Sequence, residues 1–477
     1  MKAGIPVKKN EYYNIDIHGL GHEGEGVGRI DGFTVFVPYA VPGDTIKVKI
    51  LKVKSAYAYG KLVDIIDPSE YRIDPICPLF VQCGGCQLQH VDYGEQLRLK
   101  RQKVVDALQR IGRLEDIVVH PTLGMDKPVR YRNKAQFPVA ADPKDNSVQI
   151  GFYAPRSHRI VEIDTCHIQH EMNDVIVDTV KQWMKEYHIT AYHESTGKGL
   201  VRHIFTRIAF KTGEVMVVLV TNGRHIPNEQ SLIHKIKEIN TTAAPVFASN
   251  AERQTPNCNI VSMVQNINTR KTNVVLGQEN RVLWGKDTIT DYIGDVKFNI
   301  SPMSFYQVNP VQTEVLYNKA LEYAGLTGDE TVFDLYCGIG TISLFLAQRA
   351  KKVIGVEIVP AAIEDAKKNA SINDIRNVAF YTGAAEEVVP ELYGQGHRAD
   401  VVVIDPPRKG CDETLLSTIA AMQAERIVYV SCNPSTLARD LRFLEDQGYK
   451  VVEVQPVDLF CWTYHVESVV LMSRVDK

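Results

Sequence analysis

The spacing of hydrophobic positions changes along this chain and divides it into three regions. Up to about residue 67, short runs of β-forming residues are broken by glycines, which is typical of a small β-barrel. The next region, to about residue 290, mixes strand-like and helix-like segments. From Asp291 onward, apolar strands alternate with amphipathic helices, as in a doubly wound parallel sheet. The pattern predicts an α/β protein with domains at 1–67, 68–290 and 291–477.

Composition fits an ordinary globular protein. The chain has 477 residues, of which 44% are hydrophobic and 23% are charged. No apolar run reaches the roughly 18 residues that span a membrane, and the polar start does not resemble a secretory signal. We therefore expect a cytoplasmic protein without membrane contact, whose nine cysteines are not paired in disulfides. The net charge of −3 does not by itself point to any class of binding partner. Evidence for nucleic-acid binding must therefore come from local clusters of basic residues.

One such cluster lies in the first region. The segment IKVKILKVKSAYAYGKL contains five lysines and no acidic residue, and it includes Tyr57 and Tyr59. Its first four lysines are named the barrel lysines: Lys47, Lys49, Lys52 and Lys54. Basic residues beside aromatic residues on a small OB-type barrel suit contacts with RNA phosphates and stacking with bases. The alternative is a solvated strand face whose lysines prevent aggregation.

The distribution of cysteines indicates a metal site. Cys77, Cys83 and Cys86 stand in CPLFVQCGGCQLQH, and Cys166 follows eighty residues later in EIDTCHIQH. Four thiolates suit either structural zinc or an iron–sulfur cluster, and the spacing does not distinguish them. The alternative is four free thiols.

The third region carries the features of a nucleotide site. In DLYCGIGTISLFL, Gly338 and Gly340 stand between a predicted strand and a predicted helix. Glu357 ends the next strand about twenty residues later, a distance suited to binding ribose hydroxyls. Ser343 stands where a dinucleotide fingerprint would have its third glycine. Asp334 and the glycine turn instead resemble the first motif of S-adenosylmethionine-dependent methyltransferases.

A further cysteine stands in a predicted strand-to-helix turn. In RIVYVSCNPSTLARDLRFL, the pattern predicts a strand before Cys432 and a helix with Ser435 near its N-cap. Ligands bind at the carboxyl ends of strands in such sheets, and a helix N-terminus is expected to lower the pKa of a thiol. Cys432 is therefore a candidate nucleophile. The alternative is a small buried hydrophobic residue.

The motif DPPR, which begins at Asp405, narrows the reaction. An acidic residue followed by two prolines recurs in enzymes that methylate nucleic-acid bases. Carbon 5 of a pyrimidine is a poor nucleophile until a thiolate adds to carbon 6, and a base must afterwards remove the proton from carbon 5. Cys432 could supply the thiolate. Glu467, at the start of the last strand in HVESVVLM, is the candidate base.

Several segments together resemble the RNA (uracil-5-)-methyltransferase family: SFYQVN, DLYCGIG, VIDPPRKG, VSCNP and HVESV. The barrel, as a TRAM domain, and the four cysteines resemble the bacterial 23S ribosomal RNA branch. The resemblance implies Cys432 as nucleophile, Glu467 as base and S-adenosylmethionine as cofactor. The implied cofactor-binding residues are Gln307, Tyr336, Glu357 and Asp405. The implied ligands of a 4Fe-4S cluster are Cys77, Cys83, Cys86 and Cys166.

The resemblance also implies 23S ribosomal RNA as partner and a helix near residues 93–120 that packs on the catalytic domain. We expect a monomer. This chain has Phe460-Cys461 where the family usually has Phe-Pro, which affects the expected loop shape. One alternative is the same chemistry on transfer RNA, although the usual bacterial members that act there lack both barrel and metal loop. The other is a non-catalytic RNA-binding protein, which the intact Cys432 and Glu467 oppose.

Overall fold

The structure, a computed structural model, describes residues 5–142, 144–242 and 257–475. It begins with five strands: β1 (Tyr12–Leu20), β2 (Gly26–Ile30), β3 (Phe33–Val37), β4 (Thr45–Val53) and β5 (Tyr57–Asp67). They form a closed barrel in the order β1-β2-β3-β5-β4. Alternate residues point inward, and Val35, Ile46 and Val48 are fully buried. The predicted N-terminal barrel is confirmed.

A loop with three of the candidate metal ligands leads to helix α1. The elements that follow are α1 (Tyr93–Ala107), a π-helical turn (Leu108–Gly112) and β6 (Val118–Val119). Asp92 caps α1, because its side chain accepts a hydrogen bond from the backbone N–H of Glu95. Lys100 of α1 is buried and forms an ion pair with Asp458, with a nitrogen–oxygen distance of 2.5 Å. This early helix is thereby attached to the C-terminal part of the chain.

The middle of the chain forms a seven-stranded sheet covered by two helices. The strands are β7 (Lys134–Ala141), β8 (Val148–Tyr153), β9 (Ile160–Glu162), β10 (Val201–Ile208), β11 (Glu214–Thr221), β12 (Asn259–Ile267) and β13 (Glu279–Gly285). Their order is β13-β12-β11-β10-β7-β8-β9. Helices α2 (Met172–Glu186) and α3 (Glu229–Thr242) share an apolar core with this sheet, in which Trp183 is fully buried. A hairpin of β14 (Ile289–Ile293) and β15 (Val296–Ile300) follows.

The last region forms an α/β sheet with helices on both faces. Its strands are β16 (Thr331–Leu335), β17 (Lys352–Glu357), β18 (Val378–Thr382), β19 (Val401–Ile404), β20 (Arg426–Ser431), β21 (Tyr449–Val457) and β22 (Glu467–Arg474). Its helices are α4 (Pro310–Ala324), α5 (Thr341–Ala347), α6 (Pro360–Ile372), α7 (Ala385–Gly394), α8 (Glu413–Met422) and α9 (Pro434–Asp446). Two apolar cores cover the sheet, as its continuously apolar strands require. The predicted α/β fold is confirmed.

The order of this sheet creates a ligand-binding edge. The strands run β18-β17-β16-β19-β20-β22-β21-β6, so the direction of winding reverses between β16 and β19. Ligands bind at the carboxyl ends of the strands at such a switch point. β22 is antiparallel to β20, and Ser468 pairs with Ser431. The first residue of β22, Glu467, therefore lies at the same edge as the carboxyl ends of the parallel strands.

The described helices are short relative to the thickness of a membrane. The longest described α-helices, α1, α2 and α4, have 15 residues each. Within the described ranges, no helix combines the length and the apolar character that a membrane span requires.

Candidate active site

The glycine turn after β16 leaves open space at the switch point. Gly338 (φ 56°) and Gly340 (φ 80°) have left-handed backbone conformations, which glycine adopts without steric cost. A Cβ atom at Gly338 would have no neighbouring atom within 4 Å. The backbone at Gly338 is therefore open to close approach by a ligand.

Two carboxylates border this turn. Glu357 accepts hydrogen bonds from the backbone N–H groups of Gly338 (3.2 Å) and Val359 (2.9 Å). Asp334 is buried and accepts a hydrogen bond from the Ser343 hydroxyl, and burial is the main cause that raises its pKa to about 7. Its Oδ1 atom has no hydrogen-bond partner among the described residues. Ser343, at the position of the missing third glycine, thus orients a buried carboxyl group.

Three of the four predicted cofactor-site residues lie together at this edge. Tyr336 directly follows β16, and Asp405 directly follows the adjacent strand β19. The charges of Asp405 and Glu357 both contribute to the raised pKa of Asp334, so all three carboxyl groups face one region. Gln307 lies before α4 and accepts a hydrogen bond at its backbone carbonyl. No hydrogen bond in the described part of the chain joins Gln307 to the other three predicted residues.

Cys432 lies in the turn between β20 and α9, as its sequence pattern predicts. Helix α9 begins at Pro434, and its N-cap is Asn433, whose side chain accepts a hydrogen bond from the N–H of Ser435 (3.1 Å). The cap therefore stands two residues earlier than Ser435. The Asn433 side chain also donates to the carbonyl of Arg408 at 3.0 Å. This bond ties the cysteine turn to the loop after β19.

The electrostatic environment of Cys432 differs from the expectation. Burial, followed by the carboxylates of Glu467 and Asp405, raises the pKa of its thiol to about 11, although the charge of Arg408 acts to lower it. The prediction that the helix N-terminus lowers this pKa is wrong, because lost hydration and two nearby negative charges outweigh the helix dipole. The thiol is therefore protonated at neutral pH in the unliganded site.

Glu467 lies beside this thiol and is almost completely buried. Burial, followed by the charge of Asp405, raises the pKa of its carboxyl group to about 8, although the charge of Arg408 acts to lower it. Burial also raises the pKa of Asp405 to about 7. The structure thus brings a thiol and two carboxyl groups with perturbed pKa values to one sheet edge. Such a cluster is typical of an active site.

Two further features of this site are absent from the sequence-based predictions. Arg408 ends the DPPR motif, and its charge lowers the pKa of both Cys432 and Glu467. The rings of Tyr464 and His465 lie 4.2 Å apart just before the candidate base, and Phe460 is 5.7 Å from His465. Burial lowers the pKa of His465 to about 3, so its imidazole is neutral. In the sequence, these two features correspond to the arginine that follows Asp405 and the two prolines, and to the run of aromatic residues before Glu467.

The four candidate metal ligands line one cavity of about 320 Å³. Burial, followed by the charge of Cys166, raises the pKa of Cys86 to about 12. The four side chains therefore share one poorly hydrated cavity. However, the described residues contain no group of three or more His, Cys, Asp or Glu side chains that could hold a metal ion. The structure gathers the predicted ligands without assembling a metal site, and the predicted metal-binding loop is not confirmed.

A groove of about 540 Å³ runs between the barrel and α1. Its lining includes the side chains of Arg29, Arg98, Lys100, Lys103 and Arg110, together with His18 and Gln102. The acidic lining residue Asp106 is paired with Arg110 at 3.3 Å. Phe36 lies on the barrel wall, and Tyr464 lines the same groove next to His465. The groove therefore extends from the barrel to Tyr464, three residues before Glu467.

The barrel lysines lie on a different surface of the barrel. The ammonium groups of Lys47 and Lys49 lie 5.7 and 5.5 Å from the ring centre of Tyr12 on β1. Tyr57 and Tyr59 instead contact the ring of Phe36. The predicted contact of these lysines with RNA stays a prediction.

Comparison with known proteins identifies the family. The family model for tRNA (Uracil-5-)-methyltransferase matches residues 231–475, and that for the TRAM domain matches residues 6–63. The chain is 54% identical to an uncharacterized RNA methyltransferase of Clostridium tetani, over 99% of this chain and 98% of the relative. It belongs to the uracil-5-methyltransferase family. A relative from Halalkalibacterium halodurans, also an uncharacterized RNA methyltransferase, is 52% identical over 99% of each chain.

A solved member of the uracil-5-methyltransferase family has a similar structure over its whole length. It is the Pyrococcus abyssi tRNA (uracil-54, C5)-methyltransferase in complex with S-adenosyl-L-homocysteine. The TM-score is 0.75 at 28% sequence identity, and the match covers 96% of this chain and 100% of that one. These similarities confirm the predicted family, the methyltransferase fold with an N-terminal TRAM barrel, and S-adenosylmethionine as the cofactor.

Proposed function

We propose that this enzyme methylates carbon 5 of a uridine in 23S ribosomal RNA through a covalent bond between Cys432 and the uracil ring. The observation that carries the proposal is the strand pairing: Cys432 directly follows β20 and Glu467 begins β22, where Ser431 pairs with Ser468 at the ligand-binding edge. Methylation of carbon 5 needs both a nucleophilic side chain and a base from the enzyme. Methylation of an amino group needs no nucleophilic side chain, because the nitrogen has its own lone pair. The adjacent glycine turn supports S-adenosylmethionine as the methyl donor.

We propose four residues for the cofactor site: Gln307, Tyr336, Glu357 and Asp405. The open space over Gly338 and the unpaired oxygen of buried Asp334 fit a nucleoside ligand with hydrogen-bond donors. Glu357, at the end of the neighbouring strand, would accept hydrogen bonds from ribose hydroxyls. When bound, S-adenosylmethionine supplies a methyl group on a positively charged sulfur.

In the proposed reaction, Cys432 attacks carbon 6 of the uracil as a thiolate. A sulfur–carbon bond forms, and the electrons of the carbon 5–carbon 6 double bond make carbon 5 nucleophilic, so that it accepts the methyl group. Because the pKa of Cys432 is about 11, the thiol must lose its proton to solvent before it attacks. The positive charge of Arg408 favours the thiolate.

Glu467 is proposed to complete the reaction. Its carboxylate removes the proton from carbon 5, the double bond re-forms, and the bond between carbon 6 and sulfur breaks to release the Cys432 thiolate. The raised pKa, about 8, makes Glu467 a stronger base than an exposed glutamate.

Loss of either residue should give a different defect. Cys432→Ala should abolish methyl transfer and leave S-adenosylmethionine binding intact, because the thiol acts on the base. Glu467→Gln should accumulate a covalent protein–RNA adduct, seen as a slow band on a denaturing gel, that requires Cys432. RNA with 5-fluorouridine should trap the wild-type enzyme, since fluorine cannot leave as a cation. If Cys432→Ala keeps its activity, or no adduct forms, the mechanism is wrong.

The groove between the barrel and α1 is the proposed path of the RNA next to the target uridine. Its cations suit phosphates, and Phe36 and Tyr464 offer faces on which unpaired bases can stack. A uridine within a duplex cannot reach Cys432 unless it leaves the base stack. These features support recognition of a single-stranded or opened RNA segment.

Two RNA substrates are supported by different observations. The TRAM barrel and the four gathered cysteines favour 23S ribosomal RNA, through the resemblance to that branch of the family. The similar Pyrococcus abyssi enzyme is named for transfer RNA, which is therefore the second candidate. Purified 23S ribosomal RNA and transfer RNA should each be incubated with the enzyme and analysed for 5-methyluridine. Methylation of transfer RNA alone would overturn the first assignment.

The four cysteines are proposed to hold a 4Fe-4S cluster: Cys77, Cys83, Cys86 and Cys166. Their thiols share one cavity, and four thiolates are a suitable donor set for such a cluster. A bound cluster would link the loop before α1 covalently to the segment around Cys166. We also propose a monomeric enzyme, because one chain supplies every proposed site residue.

A further inference from the structure

The cysteine loop, defined as residues 77–88, is directly attached to the segment that precedes Glu467. The base loop is defined as residues 458–466. The N–H groups of Gln87 and Leu88 both donate hydrogen bonds to the carbonyl of Trp462, at 3.0 and 2.9 Å. Gln87 directly follows Cys86, and Trp462 stands five residues before Glu467. Two main-chain hydrogen bonds thus connect the residues that follow Cys86 with the segment that precedes the proposed base.

Side-chain packing strengthens this attachment. Two of the four cysteines, Cys86 and Cys166, pack against a small apolar cluster. Its buried members are Met125, Tyr131, Ile168, Cys461 and Trp462. The Tyr131 hydroxyl donates to the carbonyl of Cys461 at 2.9 Å. Trp462 has φ 66°, a conformation that a residue with a large side chain keeps only when its surroundings hold it.

The start of the base loop is held separately by α1. Lys100 pairs with Asp458, and its ammonium group also donates to the carbonyl of Phe460 at 3.1 Å. The Tyr93 hydroxyl donates to Asp458 at 3.0 Å. Both members of the ion pair are at most 2% exposed. The cysteine loop therefore contacts the middle of the base loop, between this anchor and Glu467.

Cys432 is supported by other parts of the molecule. Its turn is capped by Asn433 and is bonded to the carbonyl of Arg408. Among the described residues, no hydrogen bond joins this turn to the cysteine loop. A displacement of the cysteine loop would therefore reach Glu467 before it reached the nucleophile.

We infer that the cysteine loop is a positioning element for Glu467, acting through the carbonyl of Trp462. The inference rests on the proposed function, in which Glu467 removes the proton from carbon 5. Loosening the cysteine loop should leave attack by Cys432 and methyl transfer intact and should slow elimination. The accumulating species keeps the sulfur–carbon 6 bond, the new methyl group and the proton on carbon 5.

Two variants test this inference in full-length protein. Tyr131→Phe removes one buried hydroxyl that holds the base loop, and Cys83→Ser alters the cysteine loop itself. Each should slow elimination by about 10- to 100-fold, the effect of a misplacement near 1 Å. The readout is the fraction of labelled RNA bound covalently on a denaturing gel. The adduct should disappear when Cys432→Ala is added, and binding of S-adenosylmethionine should be unchanged.

A matched control separates positioning from general destabilisation. The Tyr449 hydroxyl is also buried and donates to a backbone carbonyl, that of Ala424, at 2.9 Å. Tyr449 belongs to β21, which lies in the same sheet as Glu467. Tyr449→Phe should therefore cost similar stability and should accumulate no adduct.

The same gel distinguishes the two possible failures. If Glu467→Gln accumulates the adduct but Tyr131→Phe turns over normally, or loses attack and elimination together, the positioning inference is overturned and the proposed function stands. If Glu467→Gln accumulates no adduct, the proposed function fails. Tyr131→Phe removes a single oxygen atom, so it decides the question by itself if Cys83→Ser does not fold.

Discussion

Glu467→Gln should stabilise the protein at alkaline pH although it removes the proposed base. Glu467 is only 5% exposed, and burial, followed by the charge of Asp405, raises the pKa of its carboxyl group from 4.5 to about 8. The folded chain therefore binds this proton more tightly than the unfolded chain does. The contribution to stability is complete below pH 4.5 and is lost as the pH rises to the folded-state pKa near 8.

The size of this loss of stability follows from the shift in the pKa of Glu467. Each pKa unit corresponds to about 1.4 kcal/mol, so the ionised carboxylate costs the folded state about 5 kcal/mol above pH 8. Less than half of this cost is present at pH 6. Between pH 6 and pH 9, the wild-type protein should lose about 2–3 kcal/mol more stability than the glutamine variant, whose side chain stays neutral.

Urea unfolding of both proteins at several pH values between 6 and 9 measures this difference. Glu364→Gln is a suitable control, because that carboxyl group is 62% exposed on α6 and should not change the pH dependence. A constant difference between wild type and Glu467→Gln across this pH range would refute the reasoning. It would show that Glu467 is not held in a poorly hydrated, negatively charged site.

Further predictions concern catalysis, RNA binding and the cysteine loop. The rate of elimination should rise as the pH increases through the pKa of Glu467, near 8, because its carboxylate is the base; a flat quench-flow profile between pH 6 and pH 9 would contradict this. Neutralising Arg29 and Arg110 together, or the four barrel lysines together, should weaken RNA binding and flatten its salt dependence, whereas Lys367→Ala on α6 should do neither. An unaltered salt slope would exclude the altered surface as an RNA contact. Protein purified without oxygen should be brown, and Cys83→Ser should bleach it; colourless wild-type protein with one tightly bound zinc ion would contradict the cluster.

Features that depend on neighbouring residues in the chain could be predicted from sequence. The barrel follows from short β-forming runs separated by glycines. The turn at Gly338 and Gly340, and the placement of Cys432 between a strand and a helix, follow from local periodicity and from residues suited to turns. These features were accessible because short-range steric and hydrophobic preferences determine them.

Other properties arise only when distant segments meet. The pKa of Cys432 is raised, against the local expectation, because Asp405 and Glu467 come from other strands and because burial removes water from the thiol. Cys461, an unexplained departure in the sequence, proves to be a buried member of the cluster that carries the base loop. Hydration and electrostatic potential at a site are sums over all groups that surround it. The sequence by itself determined which chemical groups are present and which local turns hold them. Only the tertiary structure decided their protonation and their mutual support, because both depend on packing between segments far apart in the chain.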